Sequence, residues 1–531
     1  MLSQKVRKFV LESLNSAKKK EGWPPFDTKK IFISRPEVTQ HGDYSTNAAF
    51  ILAGQIKRNP HDIAKILLNI CQKTNLKTKL FEKIEMNGGF INFFLSKEVY
   101  IKELGEILKL KDKYGQLALG RNQKIQVEFV SANPTGPLTI GNARGGPFGD
   151  CLANVLVKAG YNAKKEYYVN DCGNQIIALG HSVLKDDLAE YKGDYVNEIS
   201  KNIKGKDAKT IGRKAAKFII EKYIKKTVKL LGIDYDKWFF ESDLRKAGKV
   251  EAIIRYLTTK GLTYEKDGAL WFKSIQFGDE RDRVLLKKDE EPTYLAVDIA
   301  YHLNKFKERK FKEVINIWGA DHFGDVAGLQ AGVSAIGFAG RLKVILLQFV
   351  TLYKGQEIMK MSKRAGVYVT MNELLDMVGK DAARYFFLSR GADTHLNFDI
   401  ELAKKRTEAN PVFYIQYAYA RICSVFKKAS LKNNVGSKHF YWLDDVAEIN
   451  LIKTLILFPE IIEEIAKNYQ VQKLAKYALD LATAFHKFYQ DCRLITEDDN
   501  LSQARLALAL ATRIVLGQML TLMGISAPEK M

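Results

Sequence analysis

The sequence predicts an α/β protein in which a parallel sheet is split into two halves by a long insertion, preceded by an α+β region and followed by an all-helical one. Three observations carry this. The short β-branched run QVEFVS (residues 126–131) feeds a Pro- and Gly-rich turn, a helical stretch over about 142–159 and a second strand, AKKEYYV (163–169). Strand, glycine turn, helix, strand is how a parallel sheet begins. Two more strand-like runs, VINIW (314–318) and KVILLQFV (343–350), come only far downstream, and from about Leu402 onward the pattern is helical.

Length and composition agree. At about 100–200 residues per domain, 531 residues make three or four domains, and 46% hydrophobic with 27% charged residues is an ordinary globular mix. Lys and Arg number 83 against 61 Asp and Glu, a net charge of +22 that suits a polyanionic partner. The five cysteines, Cys71, Cys151, Cys172, Cys423 and Cys492, are scattered without a C-x-x-C pair, so neither a disulfide framework nor a zinc site is predicted. No window reads as the roughly 18 apolar residues of a membrane span, and no secretory leader is read at the start. A cytoplasmic protein with no membrane partner is the expectation.

In chain order, MLSQKVRKFVLESL places Val6, Phe9, Val10 and Leu14 on one helical face. HGDYSTN (41–47) reads as a turn, and NGGFINFFLS (87–96) as a turn feeding a strand with Ile91, Phe93 and Leu95 on one side. The charged connector at 109–124 is the first boundary, giving expected domains at 1–110, 120–385 with an insertion at about 180–265, and 386–531. Within the insertion, Ile211, Ala215, Phe218, Ile219, Tyr223, Val228 and Leu231 trace a helical face opposite a run of lysines; that basic face is either solvated or phosphate-contacting. NPVFYIQYAYARICSVFKKA (410–429) has Asn at a helix N-cap and Pro at N1.

Two words carry chemistry. In TGPLTIGNARGG (135–146), Gly136, Gly141 and Gly145 let backbone approach a planar or charged ligand, and the following helix turns its N-terminus to the same place. In KMSKRAG (360–366), two lysines flank Met361 and Ser362 in a loop suited to gripping triphosphate oxygens. Glu128 interrupts an apolar strand and Asp298 an apolar helix, each costly without a cation, whether an internal Lys or Arg or a bound one.

Both words, in this order around a split sheet, resemble the HIGH and KMSKS boxes of class I aminoacyl-tRNA synthetases. VEFVSANPTGPLTIGNARGGPFGD, EYYVNDCGNQI, PTYLAVDIAYH, NIWGADHFG, KMSKRAG, DAARYFFLSRGADTHLNFDIELA, NPVFYIQYAYARI and LMGISAPEKM together resemble the arginyl-tRNA synthetases, over the chain from HGDYSTNAAF to its last residue. The resemblance implies a Rossmann-like catalytic domain, an amino-terminal domain that touches tRNA and a helical anticodon-binding domain. It implies activation of arginine by ATP, brought as its Mg²⁺ complex and with no tightly held protein metal, then transfer to the 2′-hydroxyl of the terminal adenosine of tRNA(Arg). Activation is expected to require bound tRNA, and the monomer is the family's usual form.

The resemblance assigns roles residue by residue. Thr139, Asn142, Lys360 and Lys363 are the expected catalytic groups, and Gly136, Gly141, Met361 and Ser362 the ATP contacts. Glu128, Ser131, Asn133, Tyr294, Asp298, Asp321 and His322 are the expected arginine contacts, and Tyr414, Gln416, Tyr417 and Arg421 the tRNA contacts. The chain departs from the family pattern at Thr139 and Asn142, where the HIGH box carries histidines. Losing a preorganised donor costs about 2.7–4 kcal/mol in an oxyanion-type site, but hydroxyl and amide are themselves donors, and TIGN resembles the box of tryptophanyl-tRNA synthetases. Two rival readings follow: a non-catalytic tRNA-binding relative, or a nucleotidylyltransferase of the same fold. The intact KMSKRAG word speaks against the first and the long helical end against the second.

Overall fold

The helix Leu2–Glu21 forms with Val6, Phe9, Val10 and Leu14 buried, as its periodicity predicts. It stops at Gly22, whose φ of 66° lets its N–H reach the Lys18 carbonyl. In this computed structural model, which describes residues 1–355, 357–359, 369–428 and 437–531, that helix belongs to a unit of residues 1–115, 425–460 and 483–515; residues 116–424, 461–482 and 516–531 form a second.

The first unit holds an antiparallel sheet of β1 (Ile33–Ser34), β2 (Tyr44–Thr46), β3 (Phe81–Asn87) and β4 (Phe90–Leu95), in the order β1-β2-β4-β3. HGDYSTN, read from the sequence as a turn, holds strand β2 over Tyr44–Thr46 and is fastened inside this unit. Asp43 accepts from Leu95 N at 2.8 Å and Tyr100 Oη at 2.7 Å and pairs with Lys453 at 3.0 Å. Tyr44 Oη donates to Glu460 at 2.7 Å, and Arg35 donates to the same carboxylate at 2.7 Å. His41 lies 3.4 Å from Asn87 Nδ2.

The second unit is built on five parallel strands: β5 (Lys124–Glu128), β6 (Asn162–Val169), β7 (Lys237–Phe240) and, after the small antiparallel sheet β8 (Thr263–Lys266), β9 (Ala269–Phe272) and β10 (Arg283–Leu286), β11 (Glu313–Gly319) and β12 (Leu342–Leu347). The order β12-β11-β5-β6-β7 makes the chain step outward from β5 on both sides, so the β5/β11 seam is a topological switch point, where open α/β sheets bind ligands beyond the carboxyl ends of the strands. Gly149 allows the helix Gly145–Lys158 to lie on β5, since a Cβ there would come within 2.2 Å of the Phe129 ring.

Several expectations are corrected. β7 lies inside the stretch read as insertion; its four residues, KWFF, are too few to stand out from their helical neighbours. KVILLQFV does not run as one strand: β12 ends at Leu347 and β13 (Val350–Lys354) starts a separate sheet, with β14 (Glu357–Ile358) and β15 (Leu396–Asp399), in the order β14-β13-β15. In the basic segment Ile211, Ala215, Ile219, Val228 and Leu231 are buried, but Phe218 and Tyr223 are only half-buried, because a wider π-helical turn over Ile220–Ile224 hands the interior to Ile220 and Ile224. Asp499–Met523 is long and apolar enough to cross a membrane by length and composition, contrary to the sequence reading, but 78% of that window is buried in the protein, as in a core helix. Asn410 caps its helix, accepting from Val412 N at 3.2 Å.

Candidate active site

Glu128 is the last residue of β5 and pairs in register with Asn316 of β11, at the switch point. The chain then turns through Val130 and Ser131 at φ of 69° and 39°. A β-branched residue held there is a strained conformation of the kind that clusters at functional sites. The turn aims Ser131 Oγ at both neighbours: it accepts from Tyr168 N at 3.1 Å and donates to Glu128 Oε1 at 3.4 Å.

The other Glu128 oxygen takes an internal cation. Lys305 Nζ, fully buried, donates to Oε2 at 2.7 Å. Asp298, on the helix Tyr294–Leu303, has no such partner: among the described residues its carboxyl makes no hydrogen bond or ion pair. Burial first, then the neighbouring Glu128 charge, push it up to about 8, with Lys305 pulling the other way. Glu241 adds a third acid, already engaged by Arg245 Nε at 2.6 Å and Tyr168 Oη at 2.9 Å. The structure thus gathers Glu128, Ser131 and Asp298 round one acidic locus and leaves one acid there, among the described residues, with no hydrogen bond or ion pair of its own. Of the remaining expected arginine contacts, Tyr294 is 63% exposed on the first turn of the Asp298 helix, and Asn133 is exposed on the loop after β5. Asp321 and His322 are exposed just beyond β11, with His322 3.4 Å from Asp325.

Thr139 caps the short helix Ile140–Ala143: its Oγ1 accepts from Asn142 N at 3.4 Å and donates to Asn142 Oδ1 at 2.7 Å. A Cβ added at Gly141 meets no protein atom within 4 Å, so internal packing does not require glycine there, whereas Gly136 lies against the Tyr195 ring. Lys360, Met361, Ser362 and Lys363 lie outside the described residues. The chain that follows them is placed, however: Thr370 bridges Thr139, and Met371 N donates to the Leu138 carbonyl at 2.8 Å. The TIGN word is therefore bound to the segment emerging from the KMSKRAG word. Arg144 ties it to the chain on both sides of that word, since the buried guanidinium donates to the carbonyl of Gln348 before it and to those of Gly391 and Thr394 after it. Held without an anion, it is drawn down to about 10 by desolvation.

On the helix Pro411–Lys428, Gln416 is buried and its amide donates to Asp381 and to the Ser526 carbonyl, both at 2.9 Å, which makes it an internal clasp. Tyr417 stacks on Phe413 and accepts from Arg421 at 2.6 Å, and the Arg421 guanidinium covers the Tyr417 ring. Tyr414 is half-buried beside them. Sequence reading missed Lys305, His302, Asn316, Glu241 and Arg144. A signal existed for two of them: Lys305 follows Asp298 by seven residues, on the same helical face, and Asn316 is the one polar residue inside VINIW. Among the described residues, no group of three or more His, Cys, Asp or Glu is placed to hold a metal ion.

Comparison with known proteins shows the family. Three sequence families match in succession: Arginyl tRNA synthetase N terminal domain over residues 4–95, tRNA synthetases class I (R), catalytic domain over 103–387, and DALR anticodon binding domain over 415–531. A protein of Caldanaerobacter subterraneus named arginine–tRNA ligase is 43% identical, covering 99% of this chain and 98% of its own. One of the same name from Carboxydothermus hydrogenoformans is 42% identical over the full length of both. The solved Thermus thermophilus arginyl-tRNA synthetase aligns with a TM-score of 0.78 at 22% identity over all of both chains. That from Plasmodium falciparum aligns at 0.80 and 19%, over 100% of this chain and 99% of its own, and both likenesses speak to fold. The chain belongs to the arginyl-tRNA synthetases, within the class I aminoacyl-tRNA synthetase family.

Proposed function

We propose that this protein is an arginine–tRNA ligase that converts arginine and ATP to arginyl-adenylate and pyrophosphate, then passes the arginyl group to the 2′-hydroxyl of the terminal adenosine of tRNA(Arg). The observation that supports it best is the acidic locus at the β5/β11 seam, where Asp298 lies beside Glu128 with no cation of its own among the described residues. A guanidinium is a permanently charged planar fork that satisfies such a carboxylate, and Glu128 Oε1, engaged among the described residues only by Ser131 Oγ at 3.4 Å, is proposed to share it.

The rest of the chemistry is assigned to the two signature words. The arginine carboxylate attacks the ATP α-phosphorus and the bond to the bridging oxygen breaks, so the enzyme's task is positioning and charge stabilisation. The Asn142 amide, and Thr139 Oγ1 once its proton turns from Asn142 Oδ1, are the proposed donors to phosphate. Gly136 and Gly141 make room for the nucleotide, which accords with the open approach to Gly141. Lys360 and Lys363, with Met361 and Ser362 between them, receive the departing pyrophosphate, and Mg²⁺ enters with ATP. Ser131, Asn133, Tyr294, Asp321 and His322 complete the arginine site. Tyr414, Tyr417 and Arg421 are proposed for tRNA, with Gln416 supporting them from beneath. We assign 1–110 to tRNA contact, 120–385 to catalysis and 386–531 to the anticodon, in a cytoplasmic monomer.

Pyrophosphate exchange and charging, run with each amino acid in the presence and absence of tRNA, test the reading. Arginine-dependent exchange that needs tRNA is expected. Charging by lysine and not arginine would overturn the substrate, and no exchange under either condition would favour a non-catalytic tRNA binder.

A further inference from the structure

Beneath the two proposed guanidinium receptors runs a buried polar chain whose direction is fixed at every link. His302 Nδ1 lies 2.7 Å from the backbone carbonyl of Asp298, which only accepts, so Nδ1 carries the proton and Nε2 is left as an acceptor. Asn316 Nδ2 donates to that Nε2 at 3.1 Å. This turns Asn316 Oδ1 toward Lys305, whose ammonium donates to it at 3.3 Å and to Glu128 Oε2 at 2.7 Å. His302, Asn316 and Lys305 are each 1% exposed or less. A buried lysine is expensive unless its protons are all received, and the third direction here is taken by the Tyr301 ring, 4.1 Å from Nζ to the centroid.

We propose that Lys305 is a positioning residue for the arginine substrate: it grips Glu128 directly, reaches the Asp298 backbone through Asn316 and His302, and sets the net charge that the incoming guanidinium meets. The inference rests on Glu128 and Asp298 being the arginine receptors, as proposed above. Two bare carboxylates side by side in a desolvated site repel, and one of them is driven to take a proton. The other charges facing the locus do not relieve this. Glu241 is spent on Arg245, and Glu166 is spent on Arg309 and Tyr301. Asp325, on the next helix, adds repulsion. Lys305 is the cation that opposes the rise of Asp298. Burial and the Lys305 charge together hold His302 neutral, which the direction of the hydrogen-bond chain requires.

The test is arginine binding to the full-length protein by calorimetry across pH 6.5–9.5, with Lys305→Met and, because it retains a donor to Glu128 and is gentler on the core, Lys305→Gln. The ratio of variant to wild-type Kd at each pH removes the substrate's own ionisation. Removing the charge should weaken binding on the order of 10-fold or more at pH 7, and the deficit should shrink toward pH 9.5, where Asp298 ionises without help. A deficit of the same size at every pH would make Lys305 structural only, and no deficit would remove it from the site; either overturns the inference. Asp298→Asn is the parallel control. If it leaves arginine Kd unchanged, the receptor assignment itself fails. If it weakens binding while the Lys305 ratios stay flat with pH, only the role of Lys305 fails.

Discussion

Asp298 is where residue-scale chemistry decides the behaviour of the site. Its carboxyl, raised to about 8 by burial beside Glu128, holds a proton at neutral pH until a guanidinium displaces it. Arginine affinity should therefore climb as pH rises toward 8 and level off above it, and Asp298→Asn should flatten the climb; KM for arginine against pH reads this. The same shift runs the other way for stability of the ligand-free protein. The folded state binds this proton more tightly than the unfolded one, so the group's contribution to stability falls as pH rises between about 4, the ordinary aspartate value, and 8. Glu128→Gln or Asp298→Asn should raise the arginine KM about 10–150-fold, the equivalent of a charge-assisted contact of 1.5–3 kcal/mol. Both acids were legible in the sequence because a charge in an apolar run demands an explanation. What was not legible is that Glu128 has found an internal partner and Asp298 has not. That depends on Lys305 being turned inward by the packing of a helix on a sheet, which no local pattern specifies.

At the scale of elements, the two signature words are joined by short fastenings. Thr139 caps its helix and bridges Thr370, and Arg144 reaches the carbonyls of Gln348, Gly391 and Thr394. Thr139→Ala should remove a cap worth about 1 kcal/mol together with a proposed phosphate donor, lowering kcat for activation more than it lowers melting temperature. Arg144→Met should do the reverse. It abandons buried carbonyls at roughly 1–3 kcal/mol each, a loss that a urea unfolding curve will show. Lys305 sits in the π-helical turn Asn304–Glu308 that continues the Asp298 helix. Deleting one residue of that turn should swing Lys305 off Glu128 and weaken arginine binding as Lys305→Met does. The strands β5, β6 and β11 were legible from their apolar runs. β7 and β15 were not, because four residues each carry too little periodicity to compete with flanking helices.

For the whole molecule, the net charge of +22 predicts that tRNA binding falls steeply with salt, the logarithm of affinity dropping with a slope near 0.7–0.9 per neutralised phosphate. Replacing Arg213 and Lys217, both exposed on the insertion helix, by Ala separates the two readings of that face: a shallower slope by one to two if they touch phosphate, and no change if they are merely solvated. The motif order revealed the catalytic unit, since its words are local. The make-up of the other unit was hidden, because three chain segments meet there through side chains that carry no sequence signature.

Arg35 and Glu460, which close that first unit, are 425 positions apart. At about 5–20 residues per second of synthesis, the leading segment leaves the ribosome roughly 20–85 s before its partner exists. During that interval the helix and sheet of residues 1–115 must survive without their later cover. A nascent chain halted before Glu460 should accordingly be cut by protease within its first hundred residues, and one halted after Val515 should resist.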